Sequence, residues 1–132
     1  MNEKLNESDI KEVRLYAVTG AKTKSNGFII GTSSLTRYGK NIVLQNDIVT
    51  YPDGTTAFVM SDTTTRMTTE VNGKMLFAAA SGTLISNGDV IADAGQTSMA
   101  LVIFENNTAI CCVMDEGKYE AVKAEGIFRC AV

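Results

Sequence analysis

Tight-turn dipeptides recur between short apolar runs over most of this chain, and they constrain its fold more than any other feature. They are Asn26-Gly27, Asp53-Gly54, Asn72-Gly73 and Asn87-Gly88. Such pairs accept the positive φ angles of a sharp reversal between antiparallel strands. The runs between them are rich in Val, Ile, Thr and Phe, as strands prefer, and they show no sustained helical period. Residues 15–91 are therefore predicted to form an all-β unit of many short strands.

An internal repeat underlies this pattern. Gly39-Lys40 recurs 34 residues later as Gly73-Lys74, and Pro52-Asp53-Gly54 recurs at the same offset as Ser86-Asn87-Gly88. The earlier turn Asn26-Gly27 resembles the two later turns. A repeated supersecondary unit predicts a fold built by quasi-symmetry. Coincidence is the alternative, because Asn-Gly and Asp-Gly pairs are common in β proteins.

The chain has the length of one globule, with a short segment at its start and an extension at its end. It contains 132 residues, and a domain of that size can bury a real core. Residues 1–14 are predicted to be an arm or a short helix capped by Ser8, with an edge strand as the alternative. Residues 15–94 are the repeat-bearing β unit. Residues 95–132 are predicted to extend that unit within the same globule.

The extension is predicted to begin with a β-hairpin. Apolar residues 99–104 and 109–114 are separated by the turn-forming residues 105–108, which is a common hairpin loop length. Residues 116–124 are charged and fit a short helix or a loop. Residues 126–132 fit a final strand.

The residue types that the chain lacks exclude several kinds of site. The sequence has no His, so His-containing catalytic triads and two-His zinc sites are excluded. Its 12 Lys and Arg residues against 15 Asp and Glu residues give a net charge of −3, which argues against non-specific binding of nucleic acid. Residues 1–14 are polar, which predicts that no signal peptide is present and that assembly takes place in the cytoplasm.

Three cysteines, Cys111, Cys112 and Cys130, lie in the last fifth of the chain. An odd, clustered set fits free thiols in a reducing compartment better than a disulfide framework. Cys111 and Cys112 are neighbours in an apolar run, and neighbours on a strand point to opposite faces, so the pair is not expected to bind one ion. A redox or nucleophilic role is the alternative.

Five segments, in this order along the chain, carry a resemblance to a known family. They are Ser25-Asn26-Gly27-Phe28, Tyr38-Gly39-Lys40-Asn41-Ile42-Val43, Val49-Thr50-Tyr51-Pro52-Asp53-Gly54, Val71-Asn72-Gly73-Lys74-Met75 and Ser86-Asn87-Gly88-Asp89. Together they resemble the PAAR-repeat proteins, which are small β-cones that cap the spike of type VI secretion systems and related contractile injection machines. The resemblance extends from about Val18 to Ile91, somewhat over half of the chain, and it implies a small β-cone.

The metal ligands of that family are missing here. Its members usually hold a metal near the cone tip with three His and one Cys. Lys24 or Ser25 stands near the first His position, Asp53 at the middle one, and Ile85, Ser86 or Asn87 near the Cys position. Both defining prolines are replaced, by Asn41 and Met75. Serine, asparagine and a single aspartate do not supply four N or S ligands, so a tip without metal or cofactor is predicted.

The resemblance also implies which loops form the tip. The predicted tip residues are Ser25, Asn26, Asp53, Gly54, Ser86 and Asn87. Because Ser, Asp and Asn side chains accept hydrogen bonds from backbone N–H groups in turns, four of these residues are predicted to tie three loops together: Ser25, Asp53, Ser86 and Asn87. Independent, solvated turn residues are the alternative.

As a function, the resemblance implies a non-enzymatic tip protein. One molecule would cap and sharpen a trimeric β-helical spike, of the valine-glycine-repeat type or its phage counterpart, and contact the target membrane transiently. Residues 95–132 would meet a baseplate or cargo protein. Attachment needs an exposed apolar base. Its candidate segments are residues 28–30, Met60, residues 76–77 and residues 99–104, although for each of them a place in the core is favoured, since apolar residues usually lie inside.

Two other interpretations fit the residues. One is a free-standing β-barrel or sandwich that binds a ligand or partner and has no connection with injection machines. The other is an enzyme that uses a pair of carboxylates, for which the available residues are Asp47, Asp53, Glu70 and Asp89.

Overall fold

Short strands make up nearly all of the regular structure. The computed structural model describes residues 10–37, 39–97, 99–104 and 109–113. The strands are β1 Ile10–Leu15, β2 Lys22–Thr23, β3 Phe28–Ile29, β4 Thr36–Arg37, β5 Lys40–Asn41, β6 Ile48–Thr50, β7 Thr56–Phe58, β8 Thr68–Val71, β9 Lys74–Phe77, β10 Ile91–Asp93, β11 Met99–Phe104 and β12 Ala109–Val113. One 3-10 turn, Thr63–Thr65, precedes β8. The predicted all-β class is confirmed.

The chain divides into two compact units, of which one is Tyr16–Gln96 and the other comprises the residues that flank it. In the flanking unit β1, β11 and β12 form a sheet in that order. The prediction of a short helix is wrong for residues 10–14, because they belong to β1, which pairs with β11 from Ile10 opposite Phe104 to Leu15 opposite Ala100. A short isolated helix is marginal, whereas this pairing satisfies the backbone of β1. Among the described strands β1 lies at an edge, as the alternative stated; Ser8 lies outside the described residues.

The predicted C-terminal hairpin is confirmed. β11 and β12 pair antiparallel, with Leu101 opposite Cys111 and Ala100 opposite Cys112. The predicted loop 105–108, the charged segment 116–124, the final strand 126–132 and Cys130 lie outside the described residues.

At the centre of the Tyr16–Gln96 unit, three short segments are joined by a ring of backbone hydrogen bonds. The Ala17 amide donates to Ala79, the Ala79 amide to Val43 and the Val43 amide to Ala17, each at 2.9 Å. The flanking antiparallel bridges repeat the arrangement, with Tyr16 opposite Ala80, Val18 opposite Ile42 and Leu44 opposite Ala78. The three segments are therefore related by a pseudo-threefold axis.

After each ring segment the backbone turns and forms a hairpin. These are the first hairpin (residues 21–29), the second (residues 47–59) and the third (residues 83–91). Each one is closed at its base by the same pair of backbone hydrogen bonds, such as Ile29 N–H to Ala21 at 3.0 Å and Gly20 N–H to Ile29 at 3.0 Å. The turns into the hairpins share a positive φ at Gly20, Asn46 and Gly82. The predicted internal repeat is confirmed, and it has three copies.

Each hairpin pairs with the other two. The third meets the first through Ile91 and Thr23, and the first meets the second through Ile29 and Val49. The second meets the third through a single bridge between Val59 and Ile85. In the described part of the chain the sheets remain small, and no closed barrel forms.

Two further hairpins of the unit, which we call the arms, precede the second and third ring segments in the sequence. They are β4–β5 and β8–β9. Gly39 and Gly73, the repeated glycines of the sequence, occupy their turns with φ angles of 74° and 82°. Both pairs of residues that repeat at an offset of 34 therefore mark equivalent turns. Gly39 and Gly73 lie in the turns of the two arms, and Gly54 and Gly88 lie in the turns of the second and third hairpins.

The core of the unit lies inside the three hairpins. Its members are small or β-branched and aliphatic: Ala17, Ala21, Ile29, Val43, Val49, Ala57, Val59, Ala79, Ile85 and Ile91. All three copies contribute to it, and Ile29, Val59 and Ile91 occupy equivalent positions. Burial of this apolar surface is the main stabilising contribution that holds the copies together.

Candidate functional site

The candidate site is the end of the Tyr16–Gln96 unit at which the turns of the three hairpins meet. Asn26, Gly54 and Gly88 occupy equivalent positions in these turns. Each donates its N–H to a carbonyl three residues earlier, at 3.1, 2.9 and 2.9 Å, and each has a positive φ, of 67°, 86° and 90°. Asparagine tolerates this left-handed conformation, so Asn26 serves where the other copies use glycine.

This equivalence corrects the sequence alignment of the first turn. The sequence pattern matches Asn26-Gly27 to Asp53-Gly54, but in the structure Asn26 alone matches Gly54, so the pattern shifts by one residue. The positions that truly correspond are Ser25, Asp53 and Asn87. The dipeptide misleads because Asn-Gly can supply the positive φ at either of its two residues.

A hydrogen-bond network around Asp89 joins all three hairpins. Its carboxylate accepts the Tyr51 hydroxyl of the second hairpin at 2.7 Å and the Val90 amide of its own hairpin at 2.8 Å. From the first hairpin, Thr23 and the Ser25 backbone lower the pKa of the same carboxylate, and the Lys24 amide donates to the Val90 carbonyl at 2.9 Å. Asp89 and the backbone beside it thus link the three turns.

The surroundings of this network shift the acidity of both partners. Burial by itself raises the pKa of Asp89, but the hydrogen bonds from Thr23, Tyr51 and the backbone outweigh it, so the pKa lies below the usual value for an aspartate. For Tyr51, burial and the hydrogen bond to Asp89 raise the pKa of the phenol. Both shifts favour a charged carboxylate that accepts a proton-bearing hydroxyl.

The second hairpin is longer than the other two, and this length places Tyr51 over their ends. It has 13 residues, counted from Asp47 to Val59, whose backbone groups bond to each other at its base, whereas the first and third hairpins have nine each by the same count. Beneath Tyr51, Gly27 has no room for a side chain. A Cβ at this position would lie 2.5 Å from Val49 Cγ1, 2.7 Å from Thr23 Oγ1 and 2.9 Å from Tyr51 Cε1.

All six of the predicted tip residues lie in the three turns, but they play unequal parts. The Asn87 side chain accepts the Asp89 amide at 3.0 Å and the Tyr51 hydroxyl at 3.4 Å. Ser86 accepts the Phe58 amide at 3.0 Å and so links the third hairpin to the second. The Ser25 backbone lowers the pKa of Asp89. Asn26 supplies the left-handed turn residue.

The second turn does not behave as predicted. Asp53 bonds only to its own turn, accepting the Thr55 amide at 2.9 Å and the Thr55 hydroxyl at 2.6 Å among the described residues. Gly54 supplies a positive φ. The second hairpin joins the others through Tyr51, the residue before Pro52.

Sequence reasoning missed the three side chains that do most of the joining, Thr23, Tyr51 and Asp89. The internal repeat offered a signal for these residues. When the three copies are aligned on their turns, Thr23 and Tyr51 are equivalent residues that begin the first and second turns, and Asp89 ends the third turn. Each of these positions borders the point where the hairpins meet.

The predicted apolar attachment segments are divided between surface and core. Phe28, Ile30 and Met60 are exposed, whereas Ile29 and the residues from Met99 to Val102 are buried. Leu76 and Phe77 are half-buried. The prediction missed Ile48, Phe58 and Leu84, which are exposed on the outer faces of the second and third hairpins.

These exposed apolar residues follow the pseudo-symmetry. Ile48 and Leu84 are equivalent, each following the first residue of its hairpin, and Lys22 takes that place in the first copy. Ile48 lies directly opposite Phe58, and the Met60 amide donates to Leu84 at 3.0 Å. Ile48, Phe58, Met60 and Leu84 are therefore neighbours, and we call them the apolar face.

The described residues do not offer a metal-binding group. Among them, no cluster of three or more His, Cys, Asp and Glu side chains is close enough to hold an ion. Of the carboxylates considered for catalysis, Asp47 is buried and accepts the Leu44 amide at 2.8 Å and the Thr32 amide at 3.2 Å. These contacts assign Asp47 a local structural role. Within the same described ranges, no helix has the length and hydrophobicity needed to span a membrane.

Comparisons with family models, with curated proteins and with solved structures find no match to this protein.

Proposed function

We propose that this protein is a non-enzymatic tip protein that caps the trimeric β-helical spike of a contractile injection system. The observation that carries the proposal is the ring of backbone hydrogen bonds through Ala17, Val43 and Ala79. It arranges one polypeptide as three equivalent parts about an axis. A monomer with this symmetry can present a similar surface to each of three identical partner subunits, because a symmetric partner repeats its contacts around its own axis.

The tip network supports the same role. A puncturing element needs turns that stay together under load. Here Tyr51 of the second hairpin donates to Asp89 of the third at 2.7 Å, and Lys24 of the first donates to the Val90 carbonyl of the third at 2.9 Å. Hydrogen bonds to a charged acceptor are stronger than those between neutral groups. The resemblance associates a metal with this position, and the proposal assigns the linking role here to the Asp89 carboxylate.

The apolar face supports attachment. Ile48 and Leu84 are each more than half exposed, at 55% and 57%, and they hold equivalent positions in two copies. Contiguous exposed apolar residues favour association with another protein. We place the spike contact at this face. Contacts of residues 95–132 with a baseplate or cargo protein, and of the tip with a target membrane, remain predictions.

Mixing the full-length protein with a trimeric β-helical spike protein and measuring the mass of the complex tests the proposal. We expect one molecule per trimer. Ile48→Asp should weaken binding by about tenfold or more, because an apolar side chain that is buried in the complex is replaced by a charge. Thr50→Asp is the matched control, since Thr50 is exposed on the same face of the same strand.

Two results would contradict the proposal. A protein that stays monomeric beside the spike would favour the free-standing β module. Equal binding by Ile48→Asp and the wild type would show that attachment does not use the apolar face.

A further inference from the structure

Three Asn-Gly pairs occur in the sequence, and the structure places them in different surroundings. They are Asn26-Gly27, Asn72-Gly73 and Asn87-Gly88. Asparagine is a thermolabile residue, and its loss of ammonia requires the amide nitrogen of the following residue to reach its side chain. The state of the glycine amide therefore decides which pair reacts.

Two of the three glycine amides are already engaged. Gly27 is buried, and its N–H donates to Thr23 Oγ1 at 2.8 Å. The Gly88 N–H donates to the Ile85 carbonyl at 2.9 Å, and the Asn87 side chain accepts the Asp89 amide. Either pair must break native hydrogen bonds before it can react, and this lowers the population that is able to do so.

The third pair lies at the exposed turn of the β8–β9 arm. Val71 and Lys74 make the cross-strand pair that closes this turn, and the Gly73 amide has no acceptor among the described residues. A Cβ built on Gly73 would meet nothing within 4 Å. Asn72 is exposed, so both reacting groups are open to solvent.

We propose that Asn72 is the site of a spontaneous modification that converts this turn to aspartate and isoaspartate. The Gly73 nitrogen bonds to the carbonyl carbon of the Asn72 side chain, and the bond from that carbon to the side-chain nitrogen breaks. The amide proton leaves with the amino group as ammonia. Water then opens the cyclic imide, at the side-chain carbonyl to give aspartate or at the backbone carbonyl to give isoaspartate, with no oxidant or reductant involved.

The product changes the arm in two ways. It adds one negative charge between Glu70 and Lys74, which makes the net charge of the protein more negative than −3. In the isoaspartate form it also inserts a methylene into the backbone of a two-residue turn, which the pairing of Val71 with Lys74 does not accommodate without adjustment. This inference does not depend on the partner proposed above.

Ageing the full-length protein in mildly alkaline buffer, followed by peptide mapping of all three pairs, tests the proposal. We expect Asn72 to convert about tenfold faster than Asn87, since freeing one hydrogen-bonded amide lowers the reactive population by about that factor. In concentrated urea the three rates should become more similar, because unfolding removes the hydrogen bonds that protect Gly27 and Gly88. Asn72→Asp should abolish the main acidic species seen by isoelectric focusing.

Either of two outcomes would overturn the proposal. One is a folded protein in which Asn26 or Asn87 converts as fast as Asn72. The other is an unchanged rate of acidic-species formation in Asn72→Asp. A folded wild-type protein that stays unmodified at Asn72, while the protein in urea is modified there, would count against it equally.

Discussion

At the scale of single residues, Asp89 is the side chain at which the hairpins are linked. It accepts hydrogen bonds from Tyr51 of the second hairpin and from the Val90 amide of its own, and Thr23 of the first hairpin lowers its pKa. A carboxylate can take several donors at once because each oxygen has two lone-pair sites. Its charge must persist for those bonds to keep their strength, so the junction depends on pH.

Acidification is expected to weaken the tip through Asp89. The hydrogen bonds that outweigh its burial hold the folded pKa of Asp89 below that of the unfolded state. This stabilisation is therefore complete above the unfolded pKa of about 3.9 and is lost as the pH falls through the folded value. Asp89→Asn should show a smaller loss of unfolding free energy below about pH 4, measured by urea unfolding at a series of pH values.

Asp53→Asn provides the control for that measurement. Hydrogen bonds from Thr55 also lower the pKa of Asp53, but they lie within one exposed turn. We expect its removal to affect unfolding less than the removal of Asp89. An Asp89→Asn protein with the wild-type pH dependence would show that the Asp89 charge does not stabilise the junction.

At the scale of elements, the first hairpin fits under the second because one position lacks a side chain. Gly27 brings the backbone of the first hairpin within contact of Val49 and Tyr51. The requirement here is space, in contrast to Gly54 and Gly88, where a positive φ decides. A methyl group at residue 27 would force these two hairpins apart.

Gly27→Ala is expected to destabilise the protein by about 1–3 kcal/mol, the usual range for an overpacked site. Val49→Ala removes the Cγ1 atom that would lie nearest to the new methyl group. In the double variant the two changes should therefore cost less than their sum, as measured by a double-mutant cycle in urea. Strictly additive effects would show that the two positions do not share the same space.

Turns and strand pairs in this fold could be predicted from sequence, but the contacts between hairpins could not. Gly39, Gly54, Gly73 and Gly88 mark turns because local backbone conformation determines their use. The joining of Tyr51 to Asp89 depends on the extra length of the second hairpin, which becomes apparent only when the three copies are aligned. The central ring leaves no side-chain signal, since it is made of backbone groups.

At the scale of the whole Tyr16–Gln96 unit, the pseudo-threefold relation makes equivalent positions comparable in energy. Ile29 and Ile91 are both buried, with exposures of 0% and 1%, and both end their hairpins beside the core. The equivalent residue of the second hairpin is Val59, which is smaller than isoleucine. The two isoleucines should therefore respond alike to the same change.

Ile29→Val and Ile91→Val are each expected to lower the free energy of unfolding by about 0.5–1.5 kcal/mol. Urea unfolding should give two values that agree within about 0.5 kcal/mol, because the lost methylene leaves a similar gap in each copy. Ile48→Val is the control, since Ile48 is exposed and its change should have little effect. A large difference between the two buried variants would show that the copies are packed differently.

The ring through Ala17, Val43 and Ala79 bears on how such a molecule can change over time. Main-chain N–H and C=O groups are the same in every residue except proline, which lacks the donor. Each of the three segments can therefore accept its own mutations, within the small volume of the core, without matching changes in the other two. A threefold fold held by backbone groups can be retained after the sequences of its three copies have lost all similarity. Relationships among the copies are then better detected by comparing backbone structure than by comparing sequence.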